Sequence, residues 1–235
     1  MAAMRRDTQA VDVAERLARV RERIADAARQ AGRDPAQVRL VAVSKFQPLS
    51  AVAAAVAAGQ REFAENRAQE LVEKLRDAPE GARWHFVGRL QRNKAKLVVG
   101  EVDLIHSVDR AALAETVAKQ AVRRELVQPV LVQVDVVGEE RKGGCRPGHV
   151  PALLERIGQL DGIRAVGLMT IPPLDADAAA VFEQLRALRA RLVSTFPGLT
   201  ELSMGMSADL EAAVTHGATI VRVGTAVFGP RPRNG

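Results

Sequence analysis

The stretch PVLVQVDVV at residues 129–137 is the clearest β-strand signal in the chain. It is a short apolar run rich in valine, a β-branched residue that favours extended structure. A glycine-rich loop and then a helical pattern at 150–160 follow it. A buried strand followed by a helix is the unit from which parallel sheets are built, so the fold depends on how often this unit recurs.

The same unit accounts for nearly all of the sequence after the first 37 residues. The predicted strands are 38–44, 62–65, 84–87, 104–108, 129–137, 163–170, 199–204 and 220–223. The predicted helices between them are 49–58, 67–77, 93–99, 110–126, 150–160, 176–195 and 208–216, and residues 226–229 close the chain. Eight such strands predict an α/β fold, a TIM-type (β/α)₈ barrel. An open doubly wound sheet is the alternative.

An extra helix is predicted before the first strand. An apolar stripe at spacings of three and four ends at Gly32 and consists of Val13, Leu17, Val20, Ile24, Ala27 and Ala31. The stripe is short for a coiled coil, so we interpret residues 1–33 as an N-terminal helix that packs on the barrel. No linker or low-complexity segment divides the chain, and 1–235 is therefore predicted to be a single domain.

The composition is that of an ordinary globular protein, with 47% hydrophobic and 26% charged residues in a chain of 235. No membrane-spanning run or signal peptide is visible, which predicts a cytoplasmic protein without a membrane partner. The one cysteine, Cys145, excludes an internal disulfide, and no metal-site spacing occurs. The net charge is +6, but aromatics are only 3% and basic residues alternate with acidic ones, so no specific nucleic-acid partner is expected. Weak polyanion binding is the alternative.

The loops after the last two strands favour a phosphate site. Barrel proteins carry their sites at the C-terminal ends of the strands, and these two loops often hold phosphate groups. Here they contain Ser203 and Ser207, then Gly224 and Thr225. The alternative is that Ser207 only caps a helix and Gly224 only serves a turn.

Lys45 ends the first strand, which neighbours the eighth in a closed barrel. A lysine there is partly removed from water, and its amine can form an imine with an aldehyde such as that of pyridoxal 5′-phosphate. Arg222 in the eighth strand would donate a hydrogen bond to the ring nitrogen of that cofactor. The alternatives are a Lys45 ammonium that reaches water and an Arg222 paired with Glu65 or Asp209.

At these residues the sequence resembles the pyridoxal-phosphate homeostasis protein family, which is similar to the N-terminal barrel of alanine racemases. The matching stretches are VSK at 43–45, EN at 65–66, WHFVG at 84–88, GLM at 167–169, SMGMS at 203–207 and VRVGT at 221–225. They follow the family's order, and only their combination is specific. The family usually has glycine where this chain has Ala64, which would be strained if the backbone there needed a positive φ.

The resemblance implies a barrel that holds pyridoxal 5′-phosphate as an imine, or Schiff base, on Lys45. The cofactor-binding residues expected from it are Lys45, Asn66, Ser203, Ser207, Arg222, Gly224 and Thr225. Asn66 is expected to line the pocket, and the phosphate is expected near Ser207, Gly224 and Thr225.

The resemblance also implies a role in intracellular cofactor homeostasis and in amino- and keto-acid balance, rather than an enzyme with catalytic residues. Racemase turnover is not expected, because the chain contains no tyrosine to act opposite Lys45 and ends soon after the eighth strand. Cofactor-dependent apoenzymes are the expected recipients, and a monomer is expected. The alternatives are an amino-acid racemase or decarboxylase that uses the cofactor, and a barrel that binds another phosphorylated ligand.

Overall fold

Eight parallel strands form a closed barrel in the computed structural model, which describes residues 2–138 and 143–230, with side chains from residue 12 onward. The strands are β1 (Arg39–Val43), β2 (Glu62–Glu65), β3 (Arg83–Phe86), β4 (Leu104–Val108), β5 (Gln128–Gln133), β6 (Ile163–Met169), β7 (Glu201–Ser203) and β8 (Ile220–Val223). β8 pairs in parallel with β1, which closes the sheet. The predicted barrel is confirmed, and the open sheet is not formed.

The helices surround the barrel. They are α1 (Ala2–Gln30), α2 (Leu49–Ala57), α3 (Ala68–Arg76), α4 (Ala111–Val122), α5 (Val150–Gly158), α6 (Ala178–Leu192), α7 (Leu210–Thr215) and α8 (Thr225–Phe228). None of the described helices is both long and apolar enough to span a membrane. Of the predicted domain 1–235, residue 1, residues 139–142 and residues 231–235 lie outside the described residues.

Three elements differ from their prediction. The segment 93–99 is a short 3₁₀ helix at Arg92–Leu97 rather than an α-helix. β5 ends at Gln133, and the residues after it enter a loop in which Val134 pairs with Cys145 and Asp135 accepts the N–H of Gly138 at 2.7 Å. Residues 226–229 were expected only to close the chain, whereas α8 covers most of them.

Helix α1 packs against helices of the barrel and is not part of a coiled coil. It contacts α2, α7 and α8. The side chains it buries are Val13, Leu17, Val20, Ile24, Ala27 and Ala28, whereas Ala31 is half-buried. Arg23 of α1 also binds Glu211 at 2.6 Å and donates to the carbonyl oxygen of Ser207 at 3.1 Å. The N-terminal helix thus supports the loop after β7.

The barrel has an apolar interior of its own, separate from the larger core between strands and helices. The inner cluster consists of Val41, Ala64, Leu104, Leu131, Met169 and Ile220. Ala64 lies in β2, is fully buried, and does not have a positive φ, so the strain anticipated there is absent. The inner face also carries polar side chains, because His85 pairs in register with Ala64, and Ser203 with Ile220.

Candidate cofactor site

A cavity of about 260 Å³ opens at the C-terminal ends of β1 and β8. Its lining residues are Val43, Lys45, Gln47, Met206, Ser207, Ala208, Arg222, Gly224, Thr225 and Gly229. Five of the seven residues predicted to bind the cofactor line it: Lys45, Ser207, Arg222, Gly224 and Thr225. The closure of β8 onto β1 is what brings residues so distant in sequence to one pocket.

Lys45 lies two residues after the end of β1 and is half-buried at the cavity. The preceding residue, Ser44, is fully buried, and its hydroxyl donates to Oε1 of Glu65 at 2.6 Å. The following residue, Phe46, has a φ of 63° and an exposed side chain that contacts the Arg67 guanidinium through its ring face. The lysine is therefore held on a short, well-defined turn.

Ser207 links the two loops predicted to hold phosphate. α7 begins at Leu210 with Asp209 as its N-cap residue, so the alternative that Ser207 caps this helix is wrong. Its hydroxyl oxygen accepts the N–H of Ala226, in the first turn of α8, at 3.3 Å. Asp209 accepts the N–H of Met206 at 2.5 Å, which closes the turn that presents Ser207 to the cavity.

Gly224 follows β8 and lies close to the end of β1. A Cβ atom at this position would lie 3.2 Å from the carbonyl oxygen of Val43, which is tighter than most real contacts. Gly224 lines the cavity together with Thr225, the exposed first residue of α8. The phosphate is predicted in this part of the cavity.

Arg222 is only 4% exposed, and two of its guanidinium nitrogens have hydrogen-bond partners. One guanidinium nitrogen, Nη1, donates to the Ser203 hydroxyl at 2.6 Å, and Nη2 donates to the carbonyl oxygen of Thr170 at 2.9 Å. Among the described residues no carboxylate pairs with it, so the alternative pairing with Glu65 or Asp209 is not formed. Burial lowers the pKa of Arg222 to about 10, and the charge of Asp209 acts in the opposite direction. The side chain is therefore a cation at neutral pH.

Ser203 does not line the cavity but connects Arg222 to two buried histidines. Its hydroxyl lies 2.9 Å from Nδ1 of His106, and Nε2 of His106 lies 2.9 Å from Nδ1 of His85. Arginine only donates, so the Ser203 oxygen accepts from it. The hydroxyl and the two imidazoles thus form one continuous chain of hydrogen bonds below Arg222.

Both histidines are neutral in this chain of hydrogen bonds. Burial lowers the pKa of His85 to about 3 and lowers the pKa of His106 well below its ordinary value, with nearby arginines acting in the same direction. The structure puts both histidines inside the barrel. Period-two alternation from Leu104 was the signal that could have placed His106 on the inner face.

Asn66 follows β2 and is not among the residues that line the cavity. Its Oδ1 atom is buried and has no hydrogen-bond partner among the described residues, so it remains an unused acceptor. The role predicted for Asn66 stays a prediction. The lining residues that sequence reasoning did not select are Val43, Gln47, Met206, Ala208 and Gly229.

The residues present fit pyridoxal 5′-phosphate. A lysine and a buried cation face one cavity, and Gly224 keeps room for an anionic group beside Ser207 and Thr225. The described residues contain no cluster of histidine, cysteine and acidic side chains able to hold a metal ion.

Comparisons with known proteins identify the family. The family model described as the N-terminal domain of alanine racemase matches residues 16–232. The pyridoxal phosphate homeostasis protein of Pseudomonas aeruginosa is 46% identical over 222 residues, which cover 93% of this chain and 96% of that protein. That of Aquifex aeolicus is 43% identical over 228 residues, which cover 94% of this chain and 99% of that protein.

Solved structures give the same result. PipY of Synechococcus elongatus with pyridoxal phosphate bound is 42% identical and superposes with a TM-score of 0.81, covering 92% of this chain and all of that one. An alanine racemase of Clostridium difficile is 14% identical with a TM-score of 0.72, covers 95% of this chain and 57% of that one, and shows the shared fold alone. On these matches, the chain belongs to the pyridoxal phosphate homeostasis protein family.

Proposed function

We propose that this protein binds pyridoxal 5′-phosphate as an imine on Lys45 and acts in intracellular homeostasis of the cofactor and in amino- and keto-acid balance. One observation carries the proposal: Lys45, Arg222 and the Ser207 and Gly224–Thr225 loops line a single cavity. The bound cofactor would supply an aldehyde for the imine and an electron-withdrawing ring.

Each residue has a role that its position supports. Lys45 provides the amine, and Ser207, Gly224 and Thr225 surround the place for the phosphate. Arg222 donates to the ring nitrogen and, because it stays charged and keeps its own protons, leaves that nitrogen unprotonated. Ser203 and Thr170 fix the guanidinium from below.

Borohydride is expected to trap the cofactor on Lys45. Reduction converts an imine into a stable secondary amine, so the intact mass rises and peptide mapping finds the addition at residue 45. Lys45→Ala should abolish the adduct and the visible absorbance while thermal unfolding stays near that of the native protein. An adduct on another lysine, or none in protein loaded with cofactor, refutes the proposal.

The cavity lacks a second acid–base group for racemisation. Moving a proton from one face of a carbon to the other needs a group on each side. Of the lining residues that the structure describes, the titratable ones are Lys45 and Arg222. Cys145 lies outside that lining, and burial, assisted by Asp109, raises the pKa of its thiol. The sequence contains no tyrosine.

Loaded protein is therefore expected to show negligible racemase turnover. It would be incubated with L-alanine and other L-amino acids in deuterated water, and α-deuterium and the D-enantiomer would be followed by NMR and chiral chromatography. We expect no more D-amino acid than with Lys45→Ala. Formation over many turnovers would refute the carrier assignment and support the racemase alternative, and its loss in Cys145→Ser would identify the base.

The proposal extends to the recipients of the cofactor, the location of the protein, its oligomeric state and its domain organisation. Cofactor-dependent apoenzymes would be the recipients, the protein would act in the cytoplasm as a monomer, and residues 1–235 would form a single domain with 1–33 as its docked helix. The competing function, a barrel for another phosphorylated ligand, would keep the phosphate loops but leave Lys45 without a role.

A further inference from the structure

Lys74 on α3 is a buried lysine that lies beside the turn carrying Lys45. It is 6% exposed, and its ammonium group makes three hydrogen bonds. Nζ donates to the carbonyl oxygen of Ser44 at 2.7 Å, to Oε1 of Glu65 at 2.6 Å and to Oε1 of Glu70 at 2.9 Å. All three donors of the ammonium are thus used, two of them on acidic side chains.

The cluster also holds the other side of Lys45. Oε1 of Glu70, which accepts from Lys74, also accepts the backbone N–H of Phe46 at 2.5 Å. Phe46 has a φ of 63°, in the left-handed region that residues other than glycine rarely adopt. The residues before and after Lys45 are therefore both connected to the buried ammonium of Lys74. The backbone at Phe46, which these contacts hold in place, is strained.

Glu65 connects Lys74 to the side chain of Ser44. It is fully buried and accepts from both the Ser44 hydroxyl and Lys74 through the same oxygen, whereas its Oε2 atom is buried with no partner among the residues described. Burial raises the pKa of the Glu65 carboxyl, and the charge of Lys74 opposes that rise. Burying such an ion pair is costly, and replacing it with apolar residues is often neutral or stabilising, so its presence calls for a reason beyond stability.

We propose that Lys74 is a positioning residue for Lys45. By binding the Ser44 carbonyl directly and the Phe46 N–H through Glu70, it holds the turn in the left-handed conformation that directs the Lys45 amine into the cavity. The inference rests on the proposed function, because it assigns Lys74 a role in imine formation. Lys74 itself is not among the residues that line the cavity. It would therefore act through Lys45 and not by touching the cofactor.

Two ligands separate this role from a merely structural one. Pyridoxal 5′-phosphate forms an imine, whereas pyridoxine 5′-phosphate has the same ring and phosphate but an alcohol in place of the aldehyde. Lys74→Met is expected to weaken the affinity for pyridoxal 5′-phosphate at least tenfold and to reduce the imine absorbance. The affinity for pyridoxine 5′-phosphate should change less than twofold. Lys119→Met, on the exposed face of α4, is the charge-matched control and should alter neither affinity.

A second set of variants keeps the test decisive if Lys74→Met unfolds. Lys74→Met with Glu65→Gln removes the unpaired buried carboxylate. Glu70→Ala removes the link between Lys74 and Phe46 but keeps the bonds of Lys74 to Ser44 and Glu65. Each should show the same selective loss. Phe46→Gly added to Lys74→Met should recover at least half of the lost imine, because glycine adopts a positive φ without strain.

The outcomes divide cleanly. An equal loss for both ligands would show a general packing role, and no loss for either would show that Lys74 does not position Lys45; both refute the inference. If the native protein binds both ligands equally and shows no imine, the proposed function itself fails, which this experiment reports separately.

Discussion

Gly88→Ala is expected to destabilise the protein by more than about 3 kcal/mol, a cost above that of ordinary overpacking. Gly88 follows β3, and a Cβ atom there would lie 2.0 Å from the carbonyl oxygen of Asn66 and 2.7 Å from its Cα. The clash is with backbone, so no change of side-chain rotamer relieves it. The ends of β2 and β3 would have to separate, and Asn66 would shift with them. Urea unfolding followed by circular dichroism measures the loss.

Gly158→Ala is the matched control, with the opposite sign. Gly158 is the last residue of α5, and nothing lies within 4 Å of the place that its Cβ would occupy. Alanine there should stabilise the protein by up to about 1 kcal/mol, because glycine loses more backbone freedom on folding. If Gly88→Ala were as stable as the native protein, Gly88 could not lie as close to the Asn66 backbone as the structure shows.

Arg222→Gln is expected to lower the affinity for pyridoxal 5′-phosphate about 10- to 100-fold. A hydrogen bond from a charged donor contributes about 1.5–3 kcal/mol, and each factor of ten is about 1.4 kcal/mol. The shorter amide would also leave Ser203 and the Thr170 carbonyl without the donors that now reach them. Fluorescence titration of apoprotein with the cofactor measures the change. Arg164→Gln, an exposed arginine at the start of β6, controls for the lost charge.

Ser207→Ala is the companion variant at the phosphate end of the cavity. A neutral hydrogen bond contributes about 1 kcal/mol, so a roughly fivefold loss of affinity is expected. Thermal unfolding must be measured beside it, because Ser207 also accepts the N–H of Ala226. Unchanged affinity in both Arg222→Gln and Ser207→Ala would place the phosphate and ring elsewhere.

Most of the strands were predictable because they carry an apolar run between turn residues, and this pattern is local. The end of β5 was not, since the valine-rich run continues to Val137, whereas the residues after Gln133 enter a loop that bonds back to Cys145. Lys45, Ser207, Arg222, Gly224 and Thr225 were predicted to share a pocket because strand ends and chain closure follow from the fold class. That they line one cavity is consistent with the prediction, while their binding roles await experiment.

The supporting residues were not predictable in the same way. The spacing of Glu70 and Lys74 is that of an ordinary exposed i,i+4 pair on a helix surface. Only the packing of α3 against the end of β1 shows that this lysine is buried beneath the Ser44 carbonyl. Ser203 was expected in the pocket with the loop that it begins, yet its hydroxyl lies below Arg222, because Ser203 pairs in register with Ile220, two residues before Arg222 on the inner face.

The contact of Arg23 with the Ser207 carbonyl would couple the first helix to the loop proposed to hold the phosphate. Coupling between two events is reciprocal: if the docked helix favours the loop conformation that accepts an anion, the bound anion favours the docked helix by the same free energy. Binding of an anion in the cavity would then be detected in α1, as slower amide hydrogen exchange and slower proteolysis of that helix.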